Sequence, residues 1–288
     1  MRIVSRSRRI FNVCNIIILT ILGITFVLPY LFIVSASLTS TQKFNLYGYS
    51  LFPRGFTFVA YRNVFADGET IINAIGNSLF YTLTGTCLHI SINVMAAYPL
   101  SKRDLVGKGI VMRILIFCML FSGGLIPTYV LIVEMGLNNT WWSLLLPGAL
   151  APWNVIIIRS YYLTIPHSLE EAAKLDGASN FKVFLRIYVP MSMPVISTQI
   201  LFTAVGFWNA WSGPLLYFDS RHSNMYPLST LLKLMLDENA GAMGGSGSGY
   251  TEPEKMATTV IATLPIIISY PFMQKYFISG MTLGSVKE

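Results

Sequence analysis

Ser168-Leu-Glu-Glu-Ala-Ala-Lys-Leu-Asp-Gly-Ala-Ser179 is a short charged stretch set between apolar ones, with Ile187 and Pro190 following it. Ser168 and Glu171 have the spacing of a capping box, which predicts a helix starting at Ser168. Gly177 can take the left-handed conformation that closes such a helix after about two turns. A second short helix is expected from about Ser179 to Val189, stopped by Pro190. Two stubby helices at a right-angle bend, held between apolar segments, form a knob suited to docking in a groove on another protein. The plainer alternative is an amphipathic loop with ordinary helix caps.

The surrounding composition is that of a membrane protein. Hydrophobic residues make up 53% of the 288-residue chain and charged residues 11%, where soluble domains carry about 25% charge. Apolar runs long enough to cross about 30 Å of hydrocarbon occur at roughly 13–35, 73–97, 111–133, 142–160, 192–212 and 257–275. The fold expected is therefore all-α and polytopic, with six transmembrane helices. A Lys/Arg excess marks the cytoplasmic side. With the N-terminus inside, fourteen of the 20 Lys and Arg fall on inner segments, among them Arg8, Arg9, Lys102, Arg103, Lys174 and Arg186. Six crossings then return the C-terminus to the cytoplasm. The net charge of +7 is accounted for by this topology and needs no nucleic-acid partner.

Arg8-Arg9 before an apolar run, with Val34-Ser35-Ala36 beyond it, could also be read as a signal peptide. The run is about twice as long as a usual signal core, so a retained first span is expected. Cys14, Cys87 and Cys118 all lie in apolar runs without pairing or metal spacing, and are expected to be small packing residues.

Glu171-Ala172-Ala173, then Gly177, then nine residues to Ile187 and Pro190, resembles the Glu-Ala-Ala loop of binding-protein-dependent ABC importers. Val189 stands where that family usually has Leu. Two further stretches are similar to sugar-importer permeases: Ala96-Ala97-Tyr98-Pro99-Leu100-Ser101-Lys102-Arg103, where Pro99 is expected to break or bend the helix, and Trp208-Asn209. Phe121-Ser-Gly-Gly-Leu-Ile-Pro-Thr-Tyr129 should interrupt the third span, and resembles permeases for larger oligosaccharides. The resemblance implies a type I ABC importer permease fold in a bacterial cytoplasmic (inner) membrane. It implies a cytoplasmic N-terminal segment at 1–12 and one permease domain at 13–288. A coupling loop lies at 166–190 and a long outer loop at 213–256. The implied partners are a second homologous permease, two ATPase subunits holding ATP and Mg, a solute-binding protein, a carbohydrate substrate and the lipid bilayer. Glu171, Ala172, Ala173, Leu175, Asp176 and Gly177 would dock on the ATPase, Glu171 pairing with a basic residue and the alanines allowing close approach.

The chain's own chemistry is sparse. Gly107-Lys108 lacks both the first glycine, where Lys102 stands, and the Ser or Thr of a phosphate loop, where Gly109 stands. No cofactor or metal is expected on the chain, and no enzymatic activity. Aromatic faces and amides bind sugars, so Trp208, Asn209 and Trp211, with Asn154 and Tyr129, are pathway candidates; the tryptophans could equally be interfacial belt residues. His89, inside the second span, is a functional candidate by default or a hydrogen-bonded packing residue. Gly241, Gly244, Gly245, Gly247 and Gly249 make a bare, flexible outer tip. In maltose-permease-like subunits the corresponding loop enters the binding protein's sugar cleft; a passive tether is the other possibility. An ion-coupled secondary transporter is the competing class, disfavoured because no acidic residue lies within the six runs and no internal repeat is evident.

Overall fold

The computed structural model describes residues 6–66, 68–237 and 250–285, and within them every regular element is helical. The glycine-rich tip at Gly241, Gly244, Gly245, Gly247 and Gly249 lies outside these residues. Contacts divide the chain into two units, one of residues 1–71 and 234–264, the other of 72–233 and 265–288.

In the first unit, α1 (Arg6–Ser37) is one unbroken helix. Its most apolar window, within Ile10–Ser37, has no side chain buried in the chain, as expected of a helix whose solvent is lipid. Two short helices follow, α2 (Thr41–Tyr47) and α3 (Val59–Ala66). Between them the Pro53-containing turn puts Gly55 at φ +65 and is pinned by a bridge between Thr39 and Phe56. The last helix, α14 (Glu252–Ser285), also begins in this unit. The Glu254 carboxylate accepts from the Thr251 backbone N–H at 2.7 Å, one half of a capping box. It also accepts from Asn63 Nδ2 at 2.7 Å, which ties α3 to the start of α14.

The second unit is built on α4 (Gly68–Ser101). Around it lie α5 (Lys108–Leu120), α6 (Leu125–Glu134), the single turn α7 (Trp142–Leu145) and α8 (Pro152–Tyr162). Then come α9 (His167–Leu175), α10 (Asn180–Met191), α11 (Met193–Trp208), α12 (Ser212–Tyr217) and α13 (Leu228–Leu236). One core joins Val94, Ala97 and Leu100 of α4 to Val155, Ile158 and Tyr162 of α8 and to Val183, Phe184 and Tyr188 of α10. A smaller one gathers Tyr81, Leu144, Leu145, Phe207 and Phe218.

Among the described residues two helices are long and apolar enough to cross a membrane, or up to four if each bent pair counts as one span. The expected third span is α5 and α6 meeting at 114°, with Gly124 at φ +87 in the break. The expected fourth span is also not one helix. Leu146–Ala151 interrupts it between α7 and α8, where Pro147 cannot donate and Gly148 sits at φ +71. Side chains of α4 satisfy the freed groups. His89 Nε2 meets the Leu145 carbonyl at 2.8 Å. Asn93, fully buried, donates to the Ala149 carbonyl at 2.9 Å and accepts from the Ala151 N–H at 2.9 Å. His89 is thus a hydrogen-bonded packing residue, its ring edge-on to Phe207 at 4.7 Å.

Three local expectations are corrected. Of the break or bend expected at Pro99, the break is absent, since α4 runs on to Ser101; so near the C-terminus only a carbonyl bond or two is at stake. Pro190 does not stop the second loop helix, which continues to Met191 before a 78° turn at Ser192. The turn before the proline widens to a π-helix over Phe184–Tyr188, which relieves the clash between the ring and the carbonyl behind it. Cys14, Cys87 and Cys118 are exposed: where the surrounding solvent is lipid, a small apolar side chain gains nothing by turning inward. Ahead of the glycine-rich tip the chain forms α12 and α13. The Leu228 N–H donates to Ser78 Oγ at 2.7 Å, holding α13 on α4.

Where α4 meets α11 the backbone approach is close. A Cβ on Gly85 would stand 2.6–2.8 Å from the Phe207 ring, which is hemmed in by Tyr81 and His89. Gly85→Val is expected to cost about 1–3 kcal/mol by overpacking, read as a lowered unfolding midpoint in detergent. Gly76→Ala, on the same helix with open space around it, should show no such loss. Equal midpoints for the two would refute the packing account.

Candidate functional site: a helical knob held by a buried carboxylate

The loop between α8 and α11 forms the predicted pair of short helices, with a different start. Pro166, not Ser168, is the N-cap of α9, and no side chain caps it. The fixed φ of −59 at Pro166 presets the helix two residues earlier than the capping box predicted. Glu171 does not reach back to Ser168; it pairs with His167 Nδ1 at 3.0 Å on the exposed face. The closure is as expected. Gly177 stands at φ +76, and the Ala178 N–H bonds the Ala173 carbonyl at 2.9 Å while the Gly177 N–H bonds that of Lys174 at 3.0 Å. This is a Schellman ending. Ser179 then caps α10, its Oγ accepting from the Lys182 N–H.

Of the residues expected to dock, Glu171, Ala172, Leu175 and Asp176 are exposed, and Leu175 is 89% exposed. Ala173 packs against the core. Only one side chain of α9 is buried, and it is Glu170. Its Oε2 accepts from Lys102 Nζ at 2.6 Å and from Tyr188 Oη at 2.8 Å, and its Oε1 faces Lys174 Nζ at 2.9 Å. Lys102 lies just beyond α4 and sits 4.0 Å from the Tyr98 ring centre and 4.2 Å from that of Tyr188. Tyr98 Oη donates to the Asn180 carbonyl at 3.1 Å, and Arg159 Nε of α8 to the Leu100 carbonyl at 2.8 Å. Beside this node is a cavity of about 670 Å³ lined by Tyr98, Lys102, Tyr162, Glu170, Lys174 and Tyr188 among others.

Burial alone would raise the Glu170 carboxyl, but the hydrogen bonds from Lys102, Lys174 and Tyr188 outweigh it and hold the group at about 2. The bond to Glu170 likewise holds the Lys174 ammonium above its usual value. Glu170 was invisible in sequence. With Lys174 it looks like an ordinary i,i+4 surface pair, and its decisive partner is 68 residues away.

The pathway candidates are dispersed. Trp208 is buried, Asn209 exposed and Asn154 half-buried. Trp211 is 44% exposed with Lys233 Nζ 5.3 Å from its ring centre. Tyr129 stacks on Tyr217 at 6.0 Å. Among the described residues no hydrogen bond or ring contact links Tyr129, Asn154 and Trp211 to one another.

A helical chain with apolar, lipid-suited helices and an externally presented, internally braced helix pair defines a membrane-embedded subunit that works with others. The model of the "Binding-protein-dependent transport system inner membrane component" family matches residues 89–283, and the chain belongs to that family. It is 41% identical over 98% of its length, and 97% of the relative's, to Protein LplC of Bacillus subtilis (strain 168). It is 37% identical to the polygalacturonan/rhamnogalacturonan transport system permease protein YtcP of the same organism, over 98% of the chain and 99% of YtcP. A crystal structure of a bacterial ABC transporter involved in the import of the acidic polysaccharide alginate contains a chain similar to this one, with TM-score 0.84 and 29% identity, covering 96% of this chain and all of that one. The chain is thus an inner-membrane ABC transport permease, and ATP hydrolysis belongs to separate subunits.

The linkage at Glu170 fixes a sign. A carboxyl depressed from 4.5 to about 2 on folding adds stability above the unfolded value, and that stability fades as pH falls from about 4.5 towards 2. The difference in unfolding midpoint between the parent and Glu170→Gln should therefore hold steady above pH 5 and shrink below 4.5. A difference that grows on acidification would contradict the assigned bonds.

Proposed function

We propose that the chain carries an oligosaccharide, delivered by a solute-binding protein, across the membrane in a complex with a second homologous permease and two ATP- and Mg-binding ATPase subunits. The observation that carries this reading is α9 itself: a short helix offering Glu171, Ala172, Leu175 and Asp176 outward while braced from within. An exposed apolar Leu on a rigid knob suits a groove in another protein. The six-span topology with both termini cytoplasmic goes with this reading. So does the assignment of Gly241–Gly249 as an outer finger towards the binding protein. The relatives named for polygalacturonan, rhamnogalacturonan and alginate support a carbohydrate cargo. Conformational closure of the ATPases would move the knob, and the knob the spans.

The direct test co-expresses the chain with the subunits encoded beside it and reconstitutes the complex in liposomes with oligogalacturonate and alginate oligosaccharides as probes. Uptake is expected only with ATP and binding protein present. Uptake by the chain alone on an ion gradient would establish the secondary-transporter class instead.

Gly177→Val addresses the docking. The space around Gly177 is open, so the cost is confined to the left-handed backbone, about 1–2 kcal/mol. The fold should survive while ATPase association or transport falls; parent-level co-purification and transport would count against the docking role.

For the pathway, the exposed Asn209 and Trp211 give the cleaner variants, since Trp208→Ala would also open a cavity costing about 3–5 kcal/mol. Asn209→Ala and Trp211→Ala are expected to lower uptake with assembly and basal ATP hydrolysis unchanged. If both transport like the parent, these residues are interfacial anchors.

A further inference from the structure

We infer that Glu170 and Lys102 form the strut through which displacement of α9 is passed to α4. Both are positioning residues for coupling, distinct from the exposed side chains that would meet the ATPase. The inference rests on the permease reading above and adds the internal path of the motion.

Helix α9 has nine residues and one buried side chain, Glu170. The side chains flanking its apolar positions do little to hold it: Leu169 is 41% exposed and Leu175 89%. An apolar side chain at 170 would anchor the helix without the cost of desolvating a charge. Apolar packing, though, is non-directional. The carboxylate instead makes three bonds of 2.6–2.9 Å in different directions. Charge-assisted bonds of this kind are short and geometrically demanding, so α9 cannot slide past its neighbours without breaking them.

The partners decide where the load goes. Lys174 belongs to α9 itself and bears nothing between elements. Tyr188 belongs to α10, the other half of the knob, so this bond makes the two short helices move together. Lys102 takes the ion-pair connection from α9 to the end of α4. Its ammonium is confined between the Tyr98 and Tyr188 rings, and its own carbonyl accepts from Lys108 Nζ at 2.8 Å. The end of α4 is further fixed to α8 by Arg159 on the Leu100 carbonyl. A pull on α9 therefore reaches α4 directly through this ion pair, while the Tyr98–Asn180 bond and the shared core join α10 to the same end of α4. From there it acts on a single helix of 34 residues whose other end of the core holds the broken fourth segment through Asn93 and His89.

The test uses the assembled transporter, with Cys14, Cys87 and Cys118 replaced by serine. Spin labels are placed at Leu169→Cys on α9 and Met95→Cys on α4, both exposed, and their separation is read in nucleotide-free and ATP-vanadate-trapped complexes. In the parent the separation is expected to be narrow and equal in both states. In Lys102→Met the ATPase subunits should still co-purify and hydrolyse ATP, but the distribution should broaden and differ between states. Lys102→Arg, which keeps the charge and the reach, should restore the parent's behaviour. Glu170→Gln, which keeps the shape and loses the charge, should resemble Lys102→Met. A separation in Lys102→Met as narrow and invariant as the parent's would overturn the inference. So would loss of assembly in Lys102→Met, Glu170→Gln and Lys102→Arg alike, which would make the node a folding element only. Failure of the unmutated chain to co-purify with ATPase subunits would overturn the permease reading instead, before any variant is compared.

Discussion

Backbone polar groups in hydrocarbon have no water to turn to, so each must be satisfied by the protein. That constraint orders the second unit. The chain breaks its helices at Phe121–Gly124, at Leu146–Ala151 and at Ser192, and a break is tolerable only where another helix supplies partners. For the middle break the supplier is α4, through His89 and Asn93. An Asn side chain has an acceptor and a two-hydrogen donor, and Asn93 uses both ends, closing on the carbonyl of residue 149 and the N–H of 151. The polar residues that made the second span look unclean for a membrane helix are those that let its neighbour be irregular.

The same helix links the chain's two kinds of polar work. At one end of its core it stabilises the interrupted segment; at the other it ends in the Tyr98–Lys102 stretch against the knob. Because α4 is continuous across this distance, the two regions share one rigid element. A helix pair closed by a Schellman turn at Gly177, then widened into a π-turn before Pro190, fixes the knob's outline. What that outline does not fix is its attachment, and there the buried carboxylate replaces the apolar anchor a short helix would ordinarily use.

Much of this was legible in the sequence because it depends on local chemistry. Apolar runs gave the long helices, Gly177 gave the left-handed closure, and the paired glycines before Pro127 gave the bend between α5 and α6. The errors have a common origin in rules that act locally but are overruled by context. Ser168 and Glu171 had the right spacing for a cap, yet Pro166 started the helix first. Pro190 should have stopped a helix, yet a widened turn accommodated it. Inward and outward faces of the apolar helices were illegible, since lipid accommodates an apolar side chain as well as a neighbouring helix does; the three exposed cysteines are the case in point.

Glu170 and Glu171 state the limit most sharply. They are adjacent, chemically identical and both i,i+4 from or to a basic side chain, so nothing local separates them. On a helix, however, neighbouring residues point about 100° apart, and only one can face the core. Ala173, three residues beyond Glu170, is the small side chain that packs inward, and three residues is the spacing at which two side chains share a face. That assigns Glu170 to the inner face and leaves Glu171 outside with His167. The Glu-Ala-Ala stretch thus turns one acidic side chain outward, paired with His167, and sets a small residue, Ala173, on the inner face where the preceding carboxylate, Glu170, settles against Lys102. A buried acid needs a cation brought from elsewhere in the fold, and the Lys102 that follows α4 is placed to supply it.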